Sequence, residues 1–223
     1  MATQYKPILF STKMVQAILE GRKTQTRRII KPQPKKGIIA TAFDFKKGFY
    51  ASKIKIEENP DRFEITELFK PKFQIGDILW VRETFINCSS FKEYPLFSEI
   101  KGNFCYKTNN FIGGHKWKPS IHMPKEAARI FLEVTNVRVE RLQDISEEDA
   151  IAEGIKKTWI NDDIKQCRFK NYINDGKGSK SPIDSFNSLW KKINGEDSWN
   201  ANPWVWVYEF KQVHHPKGFL NEH

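Results

Sequence analysis

Acidic residues are missing where basic ones are densest. From Arg22 to Lys36 the chain carries Arg22, Lys23, Arg27, Arg28, Lys31, Lys35 and Lys36, with no aspartate or glutamate among them. A solvated strand normally mixes its charges, so this one-sign block points to an anionic partner. Cysteine is scarce: Cys88, Cys105 and Cys167 are the three in 223 residues. Their odd number and wide spacing exclude a disulfide framework and suit a reducing cytoplasm. No apolar run approaches the ~20 residues of a membrane span. Met1 to Phe10 lacks the apolar stretch of a signal peptide, so none is expected. Internal repeats and long low-complexity tracts are also absent, which excludes a solenoid or a linker-like chain.

Aromatic residues are not scarce. They make up 13% of the chain, with seventeen Phe and seven Trp. Disordered chains lack them, so a packed core is expected despite 29% charged residues. The net charge of +10 is compatible with nucleic acid or another polyanion as partner. Length suits one large domain with an insertion.

Along the chain, Lys6 to Phe10 reads as a first short strand. Ser11 or Thr12 caps a helix whose face is Met14, Val15, Ile18 and Leu19, and Gly21 ends it. The basic block therefore starts at a helix C-terminus, where the dipole favours the cations Arg22 and Lys23. Two threonines, Thr24 and Thr26, lie inside the block. Hydroxyls beside fixed cations hold phosphate or carbonyl oxygens, or become nucleophiles.

Residues 35–75 read as irregular, with Phe43, Phe45, Phe49 and Tyr50 alternating as in a hairpin. Ile78 to Phe85 is a strong strand, apolar on much of both faces, as a central barrel strand would be. Its polar exceptions, Arg82 and Glu83, read as a structural ion pair or an end-of-strand position. Residues 87–125 read as a loop-rich insertion containing a strand at Asn103 to Tyr106. Cys88, Cys105, His115 and His122 fall in it, but their spacing lacks the close pairs of a zinc site, and no metal is expected.

Further strands are expected at Arg129 to Val134 and Val137 to Val139. Asp144 to Gly154 has a helix signature, with Ser146 and Asp149 as a capping box, Ile145 stapling onto Ala150, and Gly154 as the stop. Glu153 breaks a local rule, because the dipole at a helix C-terminus disfavours an acid. Lys156 to Lys180 reads as a polar loop with a short helix. Pro182 opens a helix with Ile183, Phe186, Leu189, Trp190 and Ile193 on one face. The closing strand, Trp204 to Phe210, has its aromatics on one side and its valines and Glu209 on the other. Residues 214–223 read as a loose tail.

These elements, in this order, resemble the ASCH domain, a PUA-like family. The pattern is Gly-x-Lys-x-x-x-x-Arg after the first helix, here Gly21, Lys23 and Arg28. Gly76-Asp77 before a strand, Glu153-Gly154 after a capped helix and the strand to Glu209-Phe210 accompany it. The chain further resembles the longer ASCH proteins of bacteriophages and prophages in Pro7 to Phe10, Trp80 to Phe85, Trp117 to Pro124 and Asn202 to Trp206. The resemblance implies an α+β fold: a small PUA-like β-barrel with flanking helices over residues 1–213, an insertion at about 87–125, and a cytoplasmic setting in a bacterial host.

It also implies a cleft between the first helix and the barrel wall that takes RNA or a nucleotide. Nucleic-acid contacts would come from Arg22, Lys23, Arg27, Arg28 and Arg82. Arg22, Lys23, Arg27 and Arg28 are expected to contribute to one positive surface at the cleft mouth. In an extended run Lys23 and Arg27 share one face and Arg22 and Arg28 the other, and one of these faces could turn inward to pair with Glu83 or Glu153. One compact branch of the family hydrolyses N4-acetylcytidine, and its Lys, Thr and Glu match Lys23, Thr26 and Glu153. In that branch's chemistry neutral Lys23 takes the proton of Thr26, whose oxygen attacks the amide carbonyl, and Glu153 protonates the leaving amine. Arg22 and Arg27 would lower the Lys23 pKa. Other members act as ribonucleases. A third reading is a phage morphogenesis or interaction factor. No cofactor and no membrane partner are expected.

Overall fold

A computed structural model describes residues 4–34, 39–43, 49–56, 59–89, 103–109, 116–159, 167–174 and 178–221. In chain order its strands and α-helices are β1 (Tyr5–Leu9), α1 (Thr12–Leu19), β2 (Gln25–Ile29), β3 (Ile39–Phe43), β4 (Phe49–Ile56) and β5 (Asn59–Phe69). There follow β6 (Ile78–Arg82), β7 (Phe85–Asn87), β8 (Phe104–Tyr106), β9 (Phe131–Arg141) and α2 (Glu147–Ala152). The chain closes with β10 (Lys157–Trp159), β11 (Cys167–Phe169), α3 (Pro182–Asn194) and β12 (Trp204–Val213). The class is α+β, strand-rich with few helices. Among the described residues no closed barrel is formed.

The chain divides into two compact units. The first comprises Met1–Gly21, Gly76–Val134 and Lys211–His223; the second comprises Arg22–Ile75 and Thr135–Phe210. In the first unit β6 lies between β1, parallel to it, and the start of β9, antiparallel. Leu79 and Val81 are fully buried, as a central strand requires, while Ile78, Trp80 and Arg82 are half-buried on the opposite face. Lys211 pairs with Glu133 at 3.0 Å where β12 ends beside β9.

Ser11 caps α1, accepting from the Met14 amide, and Gly21 takes φ +71° after its last turn. The helix buries Val15, Ala17 and Ile18. Leu19, expected on that face, is 46% exposed, because it sits at the rim of a narrow stripe. The tail is not loose as far as Phe219, which is 1% exposed and packs with Ala128 and Phe131. An aromatic ring that covers another gains more from burial than the short tail loses in freedom.

In the second unit β12 lies between β9 and β2, with Tyr208 opposite Thr26 and Trp206 opposite Arg28. β3, β4 and β5 form an antiparallel meander, with Phe43 opposite Phe49. The hairpin expected around Phe43, Phe49 and Tyr50 forms, and strand extends further through residues 35–75 than the irregular reading allowed. Phe45 lies outside the described residues. Likewise β10 and β11 pair, Thr158 opposite Arg168, where a polar loop with a helix was expected. β9 is one unbroken strand rather than two, since Thr135 and Asn136 remain extended.

The core of this unit gathers Leu142, Ile145, Ala150, Phe186, Trp190, Val205 and Val207. Ile145 and Ala150 meet there, as the staple requires. Ser146 accepts from the Asp149 amide at 3.1 Å and Ser181 from the Ile183 amide at 3.2 Å, so both expected caps form. On α3 the buried positions are Pro182, Ser185, Phe186, Ser188 and Trp190, whereas Ile193 is 55% exposed.

Candidate functional site

The basic block enters the second unit at Arg22 and meets the end of α2 directly. Lys23 and Glu153 form an antiparallel bridge, and the Thr24 amide donates to Ala152 O at 2.9 Å. Gly154 takes φ +87° there, a conformation a side chain resists, so the chain can leave the helix at once. This bridge explains the awkward placement of Glu153. Lys23 Nζ donates to Glu153 Oε2 at 2.8 Å, Glu153 O at 3.0 Å and Gln25 O at 2.8 Å. Arg22 Nη1 donates to Gly154 O at 2.6 Å. Two cations thus sit on the negative end of α2 and offset the acid placed there.

Lys23 is 2% exposed and Arg27 is 4% exposed. Neither lies on a positive surface: of the four cations expected at the cleft mouth, Lys23 and Arg27 take the inward alternative and meet Glu153. Burial holds the Lys23 ammonium below its ordinary pKa, Glu153 opposes that shift, and Arg28 and Arg27 add to it. The three acceptors around Nζ match the three donors of a charged ammonium.

Arg27 is the hub of a wider network. Its Nε donates to Glu140 Oε1 at 3.0 Å, its Nη2 to Asp149 Oδ2 at 2.7 Å, and its Nη1 to Glu153 Oε1 at 3.2 Å. Arg138 joins Asp149 at 2.6 Å, Glu140 at 3.1 Å, and Glu209. Gln25 Nε2 donates to Asp149 O at 2.8 Å. Burial by itself would raise the Asp149 pKa, but hydrogen bonds and charge from Arg27 and Arg138 outweigh it and hold the carboxyl below its usual value.

Strand alternation then divides the block in two. Gln25 and Arg27 share the face turned to α2. Thr24, Thr26 and Arg28 share the other, alongside Phe210, Tyr208 and Trp206 of β12. The sidedness expected of the closing strand is therefore present. Tyr208 is buried, with Phe73 edge-on at 5.1 Å and its hydroxyl accepting from the Lys72 amide at 3.2 Å. Thr26 is 3% exposed, whereas Thr24 and Arg28 are exposed.

Of the expected Lys23, Thr26 and Glu153 trio, the fold joins Lys23 to Glu153. β2 runs in register with β12 from Gln25 to Ile29 without a bulge, so Thr26 stays on the face opposite Gln25 and Arg27. Among the described residues no hydrogen bond links Thr26 to Lys23 or Glu153. Arg82 belongs to the first unit, where its guanidinium donates to Met123 O at 3.1 Å and to Ile121 O and lies over Trp80. Glu83 is in a structural ion pair, and its partner is Arg129.

Sequence reasoning missed Arg138, Glu140 and Asp149 as members of the site. Two signals were there: Asp149 and Glu153 stand one helical turn apart, and Arg138 and Glu140 alternate onto one strand face. Comparison of the chain with family models, curated proteins and solved structures returns no match.

Proposed function

We propose that this is an ASCH-type, PUA-like protein that binds RNA or a nucleotide on the face of β2 carrying Thr24, Thr26 and Arg28. The observation behind this reading is the split of the one-sign block. Lys23 and Arg27 are neutralised by Glu140, Asp149 and Glu153, so they fix the strand and contact no ligand phosphate. That fixed strand presents Thr24 and Arg28 outward beside Trp206 and Tyr208. A guanidinium and a hydroxyl on a rigid strand suit a phosphate or a base edge better than the same groups on a loop.

Fluorescence anisotropy with a labelled single-stranded RNA tests it. Binding should weaken steeply as salt rises, through counterion release. Arg28→Ala should weaken it about tenfold, the worth of one charge-assisted contact. Unchanged affinity in Arg28→Ala removes this face from binding.

One observation favours a hydrolytic reading: the buried Lys23, its pKa lowered, lies 2.8 Å from Glu153. As an amidohydrolase of an N4-acylated cytidine, the protein would first pass a proton from Lys23 to Glu153. Neutral Lys23 then takes the Thr26 proton as the Thr26 oxygen bonds the acyl carbon, Glu153 protonates the amine as the C–N bond breaks, and water opens the Thr26 ester to release the acid. Thr26 would have to turn off its strand face to take part. Cytidine release from N4-acetylcytidine should then fall by roughly a hundredfold or more in Thr26→Ala and in Lys23→Ala. No release by the wild type ends this reading and leaves the binding one intact.

A further inference from the structure

A second stretch without acids lies in the first unit. From Lys116 to Lys125 the sequence carries Lys116, Lys118, His122 and Lys125, and Glu126 is the first acid after it. Lys116, Lys118 and His122 are exposed, and so is Ile121, at 57%. Flexible loops commonly carry such charges, but this segment is held in several ways. The Lys118 amide and carbonyl pair with Phe85 at 2.9 and 3.2 Å. A tight turn over Ser120–His122 closes through the Met123 amide, which donates to Ser120 O at 3.1 Å. Met123 is 1% exposed, packed with Phe85 and Ala127, and its sulfur accepts from the Glu83 amide. Arg82 grips the carbonyls of Ile121 and Met123 with one guanidinium. Buried anchors thus hold a turn whose outer residues are cations and one large apolar side chain.

Resting on the RNA-binding reading above, we propose that this turn is a second contact surface for the backbone of single-stranded RNA, separate from the Arg28 face. Lys116 and Lys118 would meet phosphates, while Ile121 between them and His122 offers apolar surface to unpaired bases. A turn fixed before binding loses little freedom on binding, which favours affinity. Arg82 takes part by holding the carbonyls of the turn, and the phosphates are met by the lysines.

The experiment compares wild type, Lys116→Ala/Lys118→Ala and Arg28→Ala for binding a labelled, uridine-rich single-stranded RNA over a salt series. Both lysines are exposed, so circular dichroism of the double variant should match wild type. The slope of log affinity against log salt should shrink by about 1.4 in the double variant, two contacts at roughly 0.7 each. An unchanged slope in the double variant overturns the proposal, whatever Arg28→Ala does. A reduced slope there with unchanged binding in Arg28→Ala upholds the turn and removes the β2 face. Competition by polyglutamate at equal charge as effective as by RNA also overturns it, since the surface would then be a general polyanion face. No RNA binding by the wild type overturns both.

Discussion

Each unit buries a carboxylate against an arginine, and the two do it differently. In the first, Glu83 is 1% exposed and meets Arg129 through two bonds, 2.8 and 3.1 Å. Thr108 closes the circle, donating to Glu83 Oε2 at 3.0 Å and accepting from Arg129 Nη2 at 2.7 Å. One anion faces one cation, and the Arg129 guanidinium also stacks on Tyr106 at 3.9 Å. In the second unit Glu140, Asp149 and Glu153 all converge on Arg27. When the acid of a matched pair is neutralised, one cation is left, and Arg129 is partly exposed to water that can solvate it. A shared cation, when lost, leaves acids facing one another. The second arrangement is therefore the more fragile, and it is the one under the candidate site.

The largest expected effect follows from that fragility. Arg27→Ala should lower stability by about 3–5 kcal/mol in urea unfolding, the range for breaking a buried ion pair. Glu83→Gln keeps the shape of its site and should cost about 2 kcal/mol. If Glu83→Gln costs more than Arg27→Ala, the contrast between the two clusters is wrong.

A smaller effect concerns acid. The folded state holds Asp149 below its ordinary pKa. The unfolded chain then takes up that proton at higher pH than the folded one. The stabilisation is fully present above about pH 4, the ordinary carboxylate value, and is lost as pH falls through the folded value. Asp149→Asn should lower stability at neutral pH and flatten its decline in acid. A decline as steep as that of the wild type would assign the acid sensitivity to other groups. The smallest effect is expected of Arg28→Ala, about 1 kcal/mol or less in unfolding: the residue is exposed, yet burial of its guanidinium end lowers its pKa and it holds contacts of its own. A large loss there would mean that Arg28 belongs with the pinned residues.

Local grammar made much of the fold legible. Ser11, Ser146 and Ser181 announce helix starts, and Gly21, Gly154 and Gly195 take positive φ where helices stop. Such signals act within one turn of chain, so sequence displays them directly. The pairing of Lys23 with Glu153 was expected from a resemblance and from the acid out of place at a helix end. Of the Arg27 network, the inward turn toward Glu153 was among the expected alternatives; Glu140 and Asp149 were not foreseen, because they come from a distant strand and the far side of a helix turn. One-sign charge in sequence also misled in part: the block looks like a surface, yet two of its cations, Lys23 and Arg27, are paired with acids from elsewhere. The hairpin at Phe43 and Phe49 was legible, but the third strand of its meander and the β10–β11 pair were missed for a related reason. Short polar strands are stabilised by their neighbours, and composition does not name a neighbour.

The bond between Lys23 and Glu153 spans 130 positions of the chain. A chain made at about 5–20 residues per second needs roughly 6 to 26 s to cover that distance. Throughout that interval the basic block is out of the ribosome without its acids, beside the largest polyanion in the cell. The charges of Lys23 and Arg27, offset in the finished protein by Glu140, Asp149 and Glu153, are on display only during birth. Nascent chains stalled before residue 153 should therefore cling to RNA more tightly, and with a steeper salt dependence, than those stalled after α2 has emerged.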